Sequence, residues 1–226
     1  MNSETDCDPK AIRISIDTKT TIHIGDFCRG GKLKPLKALD HDMMPKEKVI
    51  PGGILETQSN KPFLFFTESY KTSDFLADGI NIWWLYRKEA LSHIDRIVIN
   101  MDNGPECSGK RTQFLKQMVD FSDKNGIEVR LVYYPPYHSK YNAIERYWGG
   151  LEKSWNGYLL NSVESVLKRA KNFVWKSAQT SVILLKSTYQ KGIKRCGKEK
   201  TQLEKRLIRS EKLPWYDITI KPLTVN

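Results

Sequence analysis

The chain has 226 residues, a formal charge of +11 and an apolar fraction of 39% that includes six Trp and eight Phe. That is enough apolar material for one real core, and the excess of Lys and Arg suits a phosphate-rich partner, because such side chains gain affinity by displacing counterions. No uncharged apolar stretch approaches the roughly 20 residues that span a bilayer, and the first twenty residues lack a basic-then-apolar leader, so a membrane protein is disfavoured and the expected location is the cytoplasm, with nucleic acid as the partner.

In chain order, Ile12, Ile14 and Ile16 alternate with Arg13, Ser15 and Asp17, and apolar residues resume at Ile22 and Ile24. This period of two predicts two strands joined by a short turn. Residues 29 to 53, with "RGGKLKPLK" and "IPGG", read as a long basic loop, and "KPFLFFTES" as a third strand. Phe75, Gly79, Ile82, Trp83 and Tyr86 then recur at helical spacing over 74–88, "DRIVIN" reads as a short buried strand, and a helix is expected over 110–124, stopping at Asn125-Gly126. "IEVRLVYY" makes a fifth strand that ends at Pro135-Pro136. From 142 the pattern is helical, with Ile144, Tyr147, Trp148, Leu151, Trp155 and Leu159 on one stripe. Asn161 and Glu164 fit a capping box for a further helix through about 180, with Val163, Val166, Leu167, Ala170 and Val174 inward. Between Lys191 and Lys212 nine basic residues stand against three acidic ones, a candidate nucleic-acid contact. The expected organisation is a main domain over 1–180 and a basic extension over 181–226 packed on it.

Three strands in succession, then strands joined through helices, predict an α/β fold of ribonuclease H-like order: a mixed five-stranded sheet with flanking helices. In such a sheet Asp17 on the first strand, Asp102 at the end of the fourth, and Glu145 in the first turn of the helix after the fifth converge on one rim. Taken singly, each acid has a structural explanation. Asp17 continues a polar face, Asp102 begins the turn "DNGPECSG", and Glu145 closes a capping box with Asn142 in "NAIE". Gathered together they repel one another unless cations neutralise them. Mg²⁺ prefers oxygen ligands, and two ions about 4 Å apart can clamp an in-line displacement at phosphorus. Four scattered Cys residues without a CxxC pair, and four His residues without ligand spacing, argue against zinc.

At these residues the sequence resembles a known family. "ISIDTKTTIHIGDFCRGGK", "FTESYKTSDFLADGINIWW", "INMDNGPECSGKRTQFLKQMVDF" and "VRLVYYPPYHSKYNAIERYWGGLEKSWNG" are together similar to bacterial insertion-sequence transposases of the Rhodopirellula type, within the DDE superfamily. "PPYHSKYNAIE" is also similar to the "PP-YSP-x-LNPIE" block of mariner-type transposases. The resemblance implies catalytic, metal-binding roles for Asp17, Asp102 and Glu145, with Mg²⁺ as the ion and Mn²⁺ as a substitute. It implies double-stranded DNA at transposon end and target as substrate, strand cleavage and transfer as the reaction, and it admits a homodimer on DNA in a nucleoid-associated setting. Around the triad, Asn103, His138, Lys140, Asn142 and Arg146 are the candidate DNA contacts, and Glu152, seven residues beyond Glu145, is the reserve acid. Ala143 replaces the usual Pro of the mariner-type block, and Lys140 stands where that block often has another Pro or an acid. Only about a dozen residues precede the first strand, so the helix-turn-helix region of related transposases is not expected here. A catalytically silent DNA-binding remnant and a nuclease on RNA·DNA hybrids therefore remain open beside the transposase reading.

Overall fold

The computed structural model describes residues 2–26, 47–135, 138, 141–195 and 197–223. A short helix, α1 (Asn2–Cys7), leads into β1 (Ala11–Thr18), where the alternation read from the sequence splits the strand between two faces. Ile12, Ile14 and Ile16 enter one apolar cluster. Arg13, Ser15 and Asp17 therefore point to the other side of the sheet.

The expected hairpin between the first two strands does not form. β2 (Ile22–Ile24) pairs with the next strand, β3 (Glu47–Glu56), and β3 in turn lies antiparallel to β1. Most of the stretch predicted as a basic loop lies outside the described residues, but its end, "KVIPGG", is strand. Gly52 and Gly53 are the reason. A Cβ at Gly52 would sit 2.3 Å from the Phe65 ring, and one at Gly53 would sit 2.8 Å from Trp148. These glycines give large side chains the space directly over the strand, where the sequence suggested a turn. Pro51 has only a carbonyl to offer the ladder, and Lys19 N–H donates to it at 3.0 Å.

β4 (Pro62–Thr67), buried at every position, follows antiparallel to β3, and then come α2 (Ser73–Arg87), β5 (Arg96–Asp102), α3 (Thr112–Asn125) and β6 (Glu128–Tyr134). Thr72 caps α2 through the Phe75 N–H, and α3 stops at Gly126 with φ of 64°, a left-handed conformation suited to Gly. β5 runs parallel to β1 and β6 parallel to β5. The central order β4-β3-β1-β5-β6, with β3 alone reversed among these five, is the ribonuclease H-like arrangement.

Beyond it lie α4 (Ala143–Ser154), α5 (Val163–Lys171), the small hairpin of β7 (Val174–Trp175) and β8 (Ala178–Gln179), β9 (Ser181–Leu184), α6 (Gly197–Glu204), β10 (Leu207–Arg209) and β11 (Asp217–Ile220). β9 extends the sheet parallel to β4, and β11 extends the other side antiparallel to β6, carrying β10 outside it. The sheet is thus wider than the five strands expected. α5 is also shorter than predicted, and its capping box is Ser162 with Ser165, not Asn161 with Glu164. After it the chain enters the hairpin, so Val174 is 51% exposed and not on an inner helical face. Apolar residues under α2 and α3 form one core, including Phe65, Phe75, Trp83 and Phe114. Leu64, Phe66, Ile144, Trp148 and Leu151 form the second, under α4 and α5. No helix among the described residues is long and apolar enough to cross a membrane.

Candidate active site

Ser15 and Asn100 are the last paired residues of β1 and β5 in the parallel ladder. Asp17 and Asp102 stand two residues further along their strands, so each continues the face of its paired predecessor. That is the face on which α4 lies.

The start of α4 is fastened to β1 by buried groups. Ser15 Oγ donates to the Asn142 side-chain carbonyl, Asn142 Nδ2 donates to the Ile16 carbonyl at 3.2 Å, and the Ile144 N–H donates to Ser15 Oγ at 2.9 Å. Ser15 and Asn142 are both fully buried. Asn142 is therefore not a surface contact for DNA, as its place in the motif suggested, but a positioning residue that sets Glu145 one turn into the helix. The Asn142 side chain does not cap α4. Ser15, from a strand distant in sequence, supplies the oxygen instead. Ser15→Ala is expected to lower unfolding free energy by about 2 to 3 kcal/mol, because it leaves a buried amide oxygen and a helix N–H unpartnered. Urea denaturation of the variant measures this, and a loss below about 0.5 kcal/mol would contradict the arrangement.

Burial and neighbouring charge shift all three acids in the same direction. The Asp17 carboxyl is pushed up to about 7, chiefly by burial, with Glu145 and Asp102 adding repulsion and a hydrogen bond from Thr18 and the charge of Lys71 opposing it. Burial also raises Glu145; Lys19 counters it, while Asp102 and Glu152 add to it. Asp102 is raised by burial, and among the described residues its Oδ1 is buried with no hydrogen-bond partner. Glu56, a buried acid elsewhere in the fold, makes the contrast. It accepts from Arg87 at 2.6 Å, Trp83 at 3.2 Å and Ser59 at 2.6 Å.

Glu56 has donors on both oxygens, whereas Asp102 Oδ1 has none among the described residues. Crowded carboxylates with a spare buried oxygen fit a hard divalent cation, which prefers oxygen ligands and neutralises the repulsion. Among the described residues no group of three His, Cys, Asp or Glu side chains is placed to hold a metal ion. Asp17 and Asp102 line one pocket, and Glu145 stands in the first turn of α4.

The remaining sequence candidates divide. Asn103 Oδ1 accepts from the Gly109 N–H at 3.2 Å and so closes the loop after β5. Arg146 is exposed beside Glu145, His138 is exposed with its ring stacked 5.8 Å from Tyr141, and Lys140 lies outside the described residues. Glu152 pairs with Lys19 at 3.4 Å. Sequence reading overlooked Lys19, Lys71 and Glu106. Lys71 and Glu106 line the pocket that also contains Asp17 and Asp102, and they approach each other to 3.6 Å. A basic residue just past a strand end that carries an acid was the available signal. Cys107 is in the same pocket, but burial pushes its thiol up to about 12, so it is no thiolate nucleophile at neutral pH.

The topology defines a ribonuclease H-like domain. The sequence profile of the Rhodopirellula transposase DDE domain matches residues 2–222, and the chain belongs to that family. No curated protein sequence matches it. Among solved structures, it is similar to the Mos1 transposase paired-end complex with left transposon end (TM-score 0.48, 8% identity, covering 74% of this chain and 48% of that one). It is also similar to the Mos1 mariner paired-end complex with Mn (0.45, 11%, 70% and 46%) and to the HTLV-2 integrase catalytic core domain in complex with magnesium (0.39, 16%, 75% and 90%). The chain thus spans about half the length of the Mos1 chains.

Proposed function

We propose that this domain cuts and joins DNA strands, with Asp17, Asp102 and Glu145 holding the divalent cations that the reaction needs. The observation that supports it most is the pocket shared by Asp17 and Asp102, where among the described residues a buried Asp102 oxygen has no donor. Bound there, Mg²⁺ or Mn²⁺ would acidify an attacking water or hydroxyl and offset charge on the leaving oxygen. In the first step a water oxygen bonds to phosphorus, the 3′-oxygen departs with the bonding pair and takes up a proton from solvent, and the attacking water gives one to solvent. In the second, the freed 3′-hydroxyl attacks a target phosphodiester in the same way. The chain's own part is positional. The Ser15–Asn142 contact sets Glu145, and Lys19 and Lys71 place positive charge beside the acids, where a phosphate would sit.

The test is cleavage of an end-labelled duplex that carries the element's own terminus, in Mg²⁺, Mn²⁺ or EDTA, beside an RNA·DNA hybrid of the same sequence. Metal-dependent nicks with 3′-hydroxyl ends in the duplex, followed by joined products, are expected. Cleavage confined to the hybrid would make the domain a ribonuclease, and binding with no cleavage in any metal would make it a silent DNA-binding domain.

A further inference from the structure

The rim that holds the acids continues on both sides. β1, β4, β5 and β6 run in one direction, β9 and β10 run with them, and β11 runs against them. The segments after β4, β5 and β9 and the segment before β11 therefore gather on the side where Asp17 and Asp102 sit. Two exposed aromatic rings lie in these segments, in a protein whose other large rings are mostly core. Tyr70, after β4, is 44% exposed, and Trp215, before β11, is 39% exposed.

Each ring is flanked by cations. Lys191 Nζ is 4.5 Å and Lys48 Nζ 5.7 Å from the Tyr70 ring centre. Lys110 Nζ is 5.1 Å and Arg209 Cζ 4.5 Å from that of Trp215. Lys48, Lys110 and Lys191 are exposed, and among the described residues none makes an ion pair with a carboxylate. Both rings lie beside segments that lead to the acidic pocket. Tyr70 precedes Lys71, which lines it beside Asp17, and Lys110 lies on the loop that begins at Asp102.

The Trp215 segment is also rigidly seated. Arg209 is gripped by Glu204 and donates to the carbonyls of Gly109 and Pro214, and a Cβ on Gly109 would lie 2.1 Å from the Trp215 carbonyl oxygen. An exposed aromatic ring with exposed lysines beside it is an arrangement that can hold an unpaired base and its phosphate together.

We infer that Tyr70 and Trp215 are base-stacking platforms, one on each side of the carboxylates, which hold unpaired nucleotides flanking the scissile phosphate. The inference rests on the DNA chemistry proposed above, and adds that the substrate is frayed where it is cut. Duplex DNA hides its base faces, so a stacking platform distinguishes forked from fully paired substrate, whereas lysines alone do not.

Fluorescence anisotropy with a labelled forked duplex and a fully paired duplex of equal length, in Ca²⁺, tests it. Tyr70→Ala and Trp215→Ala are each expected to weaken binding to the forked substrate by roughly tenfold while leaving the paired one within about twofold, and Tyr70→Phe and Trp215→Phe to restore it. Equal losses on both substrates, no loss on either, or losses only in Lys110→Ala and Lys191→Ala would overturn the stacking role. Nicking of the paired duplex is followed in the same variants. Normal nicking with unchanged forked binding removes the platforms and leaves the catalytic proposal standing, whereas a wild type that binds neither substrate removes both.

Discussion

Asp102→Asn is expected to reduce Mg²⁺-dependent nicking by about 10³-fold or more while the protein stays folded. The change keeps side-chain volume but removes the charge of a proposed ligand, at the point where a buried oxygen has no donor among the described residues. Loss of a single neutral hydrogen-bond donor to a transition state already costs about 10²- to 10³-fold, and loss of a metal ligand removes more than that. Glu145→Gln is expected to match it, because Glu145 shares the same electrostatic environment. Glu152→Gln is expected to stay within about tenfold of wild type, since Glu152 is already engaged by Lys19 on the exposed side of α4. Single-turnover cleavage of the labelled duplex in Mg²⁺ reads all three. An Asp102→Asn rate within tenfold of wild type, or a Glu152→Gln loss as deep as that of Glu145→Gln, would require a different ligand set.

Asp17→Asn is expected to abolish cleavage and yet make the metal-free protein more stable. The Asp17 carboxyl titrates near 7 in the fold against 3.8 in its unperturbed state. For an acid raised in this way the folded state binds the proton more tightly than the unfolded state does. The wild type therefore loses stability as pH rises from about 4 through about 7, while the Asn variant does not. Each unit of difference is worth about 1.4 kcal/mol. The variant's advantage in EDTA is expected to be nil near pH 4 and to reach about 2 to 4 kcal/mol above pH 7. Saturating Mg²⁺ is expected to narrow it, because the wild type then gains the binding free energy of the ion. Chemical denaturation at pH 5 and pH 8, with and without Mg²⁺, measures the difference. An advantage independent of pH would mean that Asp17 carries no buried charge.

The elements read well from the chain where local pattern reports burial. The alternation of Ile12, Ile14 and Ile16 placed β1 and put Asp17 on its polar face. The stripe from Ile144 to Leu159 placed α4 and set Glu145 within its first turn, although the helix stops at Ser154, before Trp155 and Leu159. Periodicity is a local property, and these segments each present a continuous apolar face to something. Asp17, Asp102 and Glu145 were legible for the same reason: each stands where a periodic segment starts or stops.

What the chain alone determined, then, is most of the central strands and helices and which acids stand at their ends. Tertiary structure decided the partners. "IPGG" reads as a turn until Phe65 and Trp148 are seen to occupy the space over Gly52 and Gly53. Asn142 reads as a helix cap or a DNA contact until Ser15, 127 residues away, is found against it. β2 joins β3 and not β1, and β11 closes on β6 across the length of a domain. Such pairings depend on complementary volume and on matching buried hydrogen-bond groups between distant segments. A single stretch of sequence carries only one side of each match, so the rim that gathers the acids with Lys19 and Lys71 exists only once the chain has folded.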